Sequence, residues 1–149
     1  MQAVRASIAF ALLSFLCTAK AWAGCNINTT AVSFPAYSAL SAGNDLGSGS
    51  LALSCDGPDT VVIALTAGGG GSFNPRAMTL AGGSSKLNYN LYSDSARTSI
   101  WGDGTTYPVV TIVYGNAPPP AIPVYAQIFA GQDVAPGKYM DTITVNYSF

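Results

Sequence analysis

The chain has 149 residues, of which only 9% are charged, and it contains neither histidine nor glutamate. Without histidine, nucleophile–base pairs of the Ser–His and Cys–His kinds are excluded. Beyond position 23 there are four basic residues, Arg76, Lys86, Arg97 and Lys138, against seven aspartates, a net charge of −3. Four scattered cations form no stripe for nucleic acid and no cationic helix for a membrane surface.

Residues 1–23 read as a cleaved signal peptide. A basic start (Arg5) precedes an apolar run from Ile8 to Leu16, and Ala21-Trp22-Ala23 sets small residues where a signal peptidase cuts. The run is too short to span a bilayer comfortably. Removing the first 23 of 149 residues leaves 126, enough for one domain over residues 24–149 with a core of its own. Cys17 departs with the leader and leaves Cys25 and Cys55, an even pair in an oxidising compartment. A disulfide between them is expected, worth roughly 3–4 kcal/mol by loop entropy. The competing reading, a lipid-modified Cys25 after Trp22-Ala23-Gly24, lacks the usual leucine at Trp22 and would orphan Cys55.

The rest of the chain alternates with the period of strands. Leu51, Leu53 and Cys55 share one parity. The turn Asp56-Gly57-Pro58-Asp59 leads to Val61, Ile63 and Leu65. Leu87, Tyr89 and Leu91 follow, then a β-branched run from Val109 to Tyr114, then Ile122, Val124, Ala126 and Ile128. Gly68–Gly71 and Pro118–Pro120 read as loops, the first flexible and the second stiff and extended. Short strands between Gly-, Pro- and Asp-rich turns predict a single all-β sandwich. At the end, Tyr139, Ile143, Val145, Tyr147 and Phe149 share a parity, and the chain stops while that pattern is still running. An apolar strand face with nothing after it to cover it needs a partner from outside the chain.

Candidate chemistry is sparse, and no catalytic, metal or cofactor site is expected. Asp103 between glycines, and Asp56 and Asp59, are turn-formers and lack the spaced oxygens of a calcium loop. A carboxylate pair such as Asp94 with Asp103 would be needed for a glycosidase, and both lie in turn-like contexts. Trp101 and the tyrosines are candidates for surface recognition, for example by stacking on a sugar, although aromatic residues in a sandwich are usually core or packing.

The segment Leu87–Thr105, "LNYNLYSDSARTSIWGDGT", resembles the signature of the spore coat protein U domain family, subunits of archaic chaperone–usher pili and related secreted coats. The ending "IPVYAQIFAGQDVAPGKYMDTITVNYSF" is similar to that family's C-terminal half, and Cys25 with Cys55-Asp56-Gly57 matches its first-strand disulfide. The resemblance implies an immunoglobulin-like sandwich that lacks its last strand. It also implies three partners in sequence: a periplasmic chaperone that lends a strand, an outer-membrane usher, and a neighbouring subunit whose N-terminal extension replaces the chaperone's strand. Backbone ladder bonds would supply affinity and alternate side chains register.

On that pattern, Tyr139, Ile143, Val145, Tyr147 and Phe149 are expected to form one wall of the acceptor groove, and the stretch from Ile27 to Val32 the other. The expected function is a non-enzymatic structural subunit, exported through the periplasm to a surface fibre or coat. The alternative is a self-sufficient secreted module that binds glycans or surfaces. Polymerising subunits of the family resemble one another in carrying a donor tail before the first cysteine, whereas here only Gly24 separates the expected cleavage site from Cys25. That difference points to a fibre tip, or to a coat protein that never polymerises.

Overall fold

Alternating apolar side chains become two facing sheets. The computed structural model describes residues 24–115 and 121–149, so the expected leader with Cys17, and the Pro118–Pro120 loop, lie outside the described residues. Strand β1 spans Cys25–Ser33, β2 Asp45–Cys55, β3 Asp59–Leu65, β4 Arg76–Leu80 and β5 Lys86–Tyr92. Strand β6 spans Val110–Tyr114, β7 Ile122–Ile128, β8 Tyr139–Met140 and β9 Val145–Ser148. One sheet has the order β1-β2-β7-β5-β4-β8 and the other β6-β3-β9. Every pairing is antiparallel. The single all-β sandwich expected from the sequence is the observed architecture.

The core lies between the sheets. Leu53 and Leu91, with Val124 and Ala126, face Val61 and Ile63 of β3, and all are buried. Pairing of strands distant in sequence, β2 with β7 and β5 with β7, explains why neither sheet is a run of simple hairpins. The Asp56–Asp59 turn joins β2 to β3 as expected, and it also holds the chain's described start. The Asp56 amide donates to the Gly24 carbonyl at 3.0 Å, and the Gly24 amide donates to the Asp56 carboxylate at 3.3 Å. Beside this contact Cys25 pairs with Cys55 across β1 and β2, and the two are joined in a disulfide.

Strand β1 does not run straight. Its register against β2 slips by one residue between Thr30 and Ser33, a β-bulge. The slip brings even-numbered Val32 and Phe34 to the face that odd-numbered Ile27 occupies before it, and all three pack on the core. Phe34 lies directly over Gly47 of β2, where a Cβ would stand 2.5 Å from its ring.

Two expectations need correction. The ending is not one strand: Tyr139 and Met140 pair with Leu80 and Thr79 in the larger sheet, whereas Val145–Ser148 pair with β3 in the smaller one. Residues 141–144 cross between the sheets. The pivot is Asp141, which accepts hydrogen bonds from the Gly69 amide at 2.8 Å and the Tyr89 hydroxyl at 2.7 Å. A glycine is required on the facing loop, because Gly68 has φ +76° and a Cβ there would collide with the Asp141 carboxylate. The glycine loop is therefore tied down at Asp141 rather than left as a loose connector.

The second correction concerns Trp101. It is fully buried, its indole N–H donates to the Ile63 carbonyl at 2.9 Å, and it offers no face to a surface ligand. The side chain is a bolt between the sheets.

The disulfide closes the loop between positions 30 apart in sequence, which predicts a loss of about 3–4 kcal/mol on reduction. Urea midpoints measured with and without reductant check this, and unchanged midpoints would contradict it.

Candidate functional site

Each sheet leaves one strand edge open on the same side of the molecule. In the smaller sheet β9 has a neighbour only in β3, and in the larger sheet β1 has a neighbour only in β2. Between these edges runs a groove of about 920 Å³. One wall is the stretch 29–37 and the other runs from Gly137 to Val145. The floor is made of core residues, Leu51, Leu65, Leu87, Leu91, Val124 and Ile128, each of them buried.

The backbone beside the groove is unsatisfied by design of the register. The Thr66 amide donates to the Thr144 carbonyl at 3.1 Å, which makes Thr66 and Thr144 a directly bonded pair. Antiparallel pairs alternate between bonded and non-bonded, so Val145, opposite Leu65, turns its N–H and C=O away from β3 and toward the open edge.

Of the expected groove residues, Tyr139, Ile143 and Val145 line the cavity and are half-buried. Val32 lines the opposite wall. Ile27 packs against the core but lies outside the cavity lining. Tyr147 and Phe149 also lie outside it, are 40% and 56% exposed, and stack on each other with ring centroids 6.2 Å apart.

Among the lining residues not anticipated from the sequence are Phe34, Tyr37, Met78 and Asp141. Phe34 meets the Tyr89 ring edge-on at 6.1 Å. The Tyr37 hydroxyl accepts from the Gln132 amide at 2.6 Å and donates to the Gln132 carbonyl at 3.0 Å, which fixes the far end of that wall. A phenylalanine and a tyrosine soon after Val32 were the available signal, but the bulge puts Phe34 out of phase with Ile27 and Tyr37 lies beyond the end of β1.

Polar groups under the groove are paired. Burial, and then the hydrogen bond to Asp141, push the Tyr89 hydroxyl well above its ordinary range, so it stays a neutral donor. Fully buried Arg76 donates to the carbonyls of Thr66 and Trp101, at 3.0 and 2.7 Å, and to Asn90 Oδ1 at 3.0 Å. Its guanidinium lies 5.0 Å from the centre of the Phe73 ring. Burial lowers its pKa, opposed by Tyr89 and Asp141, yet a guanidinium stays charged at neutral pH. These groups hold the frame and are arranged for no proton transfer.

Asp94 and Asp103 each serve their own turn. The Asp94 carboxylate accepts the amides of Ser99 and Thr98, and Asp103 those of Thr105 and Thr106. Those same bonds hold both carboxyls below their usual range. Among the described residues no three of His, Cys, Asp and Glu come together as a metal site, and no helix is long and apolar enough to cross a membrane.

Comparison with known proteins agrees with the geometry. The Spore Coat Protein U domain model matches residues 11–146. Protein U of Myxococcus xanthus is 33% identical over 111 residues, covering 69% of this chain and 60% of that protein. The fold is similar to a chain in the crystal structure of the CsuC–CsuE chaperone–tip adhesion subunit pre-assembly complex, from archaic chaperone–usher Csu pili of Acinetobacter baumannii. There the TM-score is 0.62 at 20% identity, over 86% of this chain and 40% of that one. The chain thus spans less than two thirds of the length of either relative.

Replacing Asp141 by alanine leaves the Tyr89 hydroxyl and the Gly69 amide without their partner, which should cost about 1–3 kcal/mol. Adding Tyr89→Phe should cost less than its effect in the parent, because the orphaned hydroxyl goes with it. Urea unfolding of the two single variants and the double variant checks this; strict additivity would mean that the bond carries no weight.

Proposed function

This chain belongs to the Spore Coat Protein U domain family, and we propose that it is a structural subunit of a surface pilus or coat whose groove is filled by a strand from another chain. One observation carries the reading. An apolar floor lines a cavity of about 920 Å³, beside a β9 edge that has no neighbour beyond β3 among the described residues. A strand laid there would bond to the β9 edge and send alternate side chains onto the floor. Left empty, such an edge is an aggregation hazard.

The occupants are, in order, a periplasmic chaperone and then a neighbouring subunit, with exchange at an outer-membrane usher. The domain is residues 24–149, exported by the 1–23 leader and carried through the periplasm to the cell surface. With cleavage before Gly24, only one residue precedes Cys25, too short for a donor strand, and this supports a tip position or a coat protein outside any polymer. The fold shared with a chain of a tip-subunit complex is compatible with that reading. The role is structural rather than enzymatic. The rival reading, a glycan-binding module built on Trp101, loses its anchor because that side chain is fully buried.

Charges on the two parities of the ending separate the readings. Val145→Asp or Ile143→Asp sets a carboxylate against the apolar floor, at several kcal/mol, and should abolish chaperone capture and lead to degradation in the periplasm. Exposed Thr144→Asp should be mild. Pull-down of the exported chain with its chaperone reads the outcome, and equal damage from both parities would overturn the groove assignment. For position, immunogold label confined to fibre ends is expected, and label spaced along the shafts would exclude the tip.

A further inference from the structure

Resting on the reading of the groove as a strand acceptor, we infer that Tyr147 closes it at the disulfide end and so sets the length of strand it accepts. The Tyr147 hydroxyl donates to the Cys25 carbonyl at 3.3 Å. That single contact ties β9 of the smaller sheet to β1 of the larger one, across the gap the groove occupies elsewhere. Its two sides are unlike. Cys25 is held by its disulfide, by register with Cys55 and by the neighbouring Gly24–Asp56 bonds. Tyr147 is 40% exposed, near the chain's end, and supported by the stacked ring of Phe149.

The extent of the groove fits a closure at this point. Its lining runs from Gly137 to Val145 and stops short of Tyr147, while on the other wall it begins at Thr29 and leaves out Ile27. Both walls therefore end just before the clasp. At the opposite end the Tyr37 hydroxyl bonds Gln132 in the connection before β8, and among the described hydrogen bonds none joins residues 29–37 directly to Gly137–Val145. The opposite wall, Thr29–Tyr37, is nine residues long, which bounds the occupant at roughly 30 Å at strand rise. The occupant is thus a short strand with apolar side chains at alternate positions, entering from the Tyr37 end. The ladder positions on β9 beyond Val145 stay out of reach while Tyr147 is bonded.

Two acetylated peptides of alternating threonine and valine, about nine and about thirteen residues long, test this by fluorescence anisotropy. The parent protein should bind both within about twofold, because extra residues meet the clasp. Tyr147→Ala should bind the longer peptide at least about fivefold more tightly than the shorter, through added ladder bonds along β9. Tyr147→Phe keeps the ring and loses only the hydroxyl, so it is expected to shift in the same direction. A parent protein that already prefers the longer peptide, or variants that show no length dependence, would overturn the clasp and leave the acceptor reading standing. Failure of the parent to bind either peptide would overturn both.

Discussion

Everything in this structure turns on a strand that has one neighbour where it needs two. Strand β9 is bonded to β3 on one side only, and the floor next to it is made of the side chains that form the core elsewhere. Neither the apolar floor nor the turned-out backbone of Val145 is unusual alone. Together they define a position for a tenth strand that this chain does not supply among its described residues.

A gap of this kind has to be held open without the strand that would brace it. The disulfide and the Gly24–Asp56 contacts fix the start of β1 at one end. Under the middle, Arg76 donates to backbone carbonyls from two different segments and to Asn90. A buried cation satisfied by carbonyls is costly to form and more costly to leave half-paired, so it favours one arrangement of the loops around it. Asp141 then holds the crossing between β8 and β9 against Tyr89 and the glycine loop. The frame is polar and specific where the groove is apolar and open.

Much of this was legible from the residues. Period-2 alternation marks β2, β3 and β7 because each buries one face, and it marks β5 by residue type although Asn90 and Tyr92 are buried there too. The Asp56–Asp59 turn and the cysteine pair were readable for the same local reasons. Three things were not. The ending reads as one strand because the apolar parity of Tyr139 resumes at Ile143 across Asp141, and only the tertiary partners of Asp141 reveal that it pivots the chain between sheets. Val32 and Phe34 fall out of phase with Ile27 because a bulge is invisible to a fixed period. Arg76 looks like a surface residue by type and Trp101 reads as a candidate for surface recognition, yet both are buried, since each donor meets a tertiary carbonyl.

Residue-resolved hydrogen exchange at two adjacent amides tests the central claim most directly. Asn146 belongs to a bonded pair with Ala64, whereas the amide of Val145 faces the open edge. The account predicts that, with the groove empty, Val145 exchanges fast and Asn146 slowly. Adding an alternating threonine–valine peptide should protect Val145 and leave Asn146 little changed. A Val145 amide already protected in the protein alone, or one that stays unprotected while the peptide is bound, would contradict it.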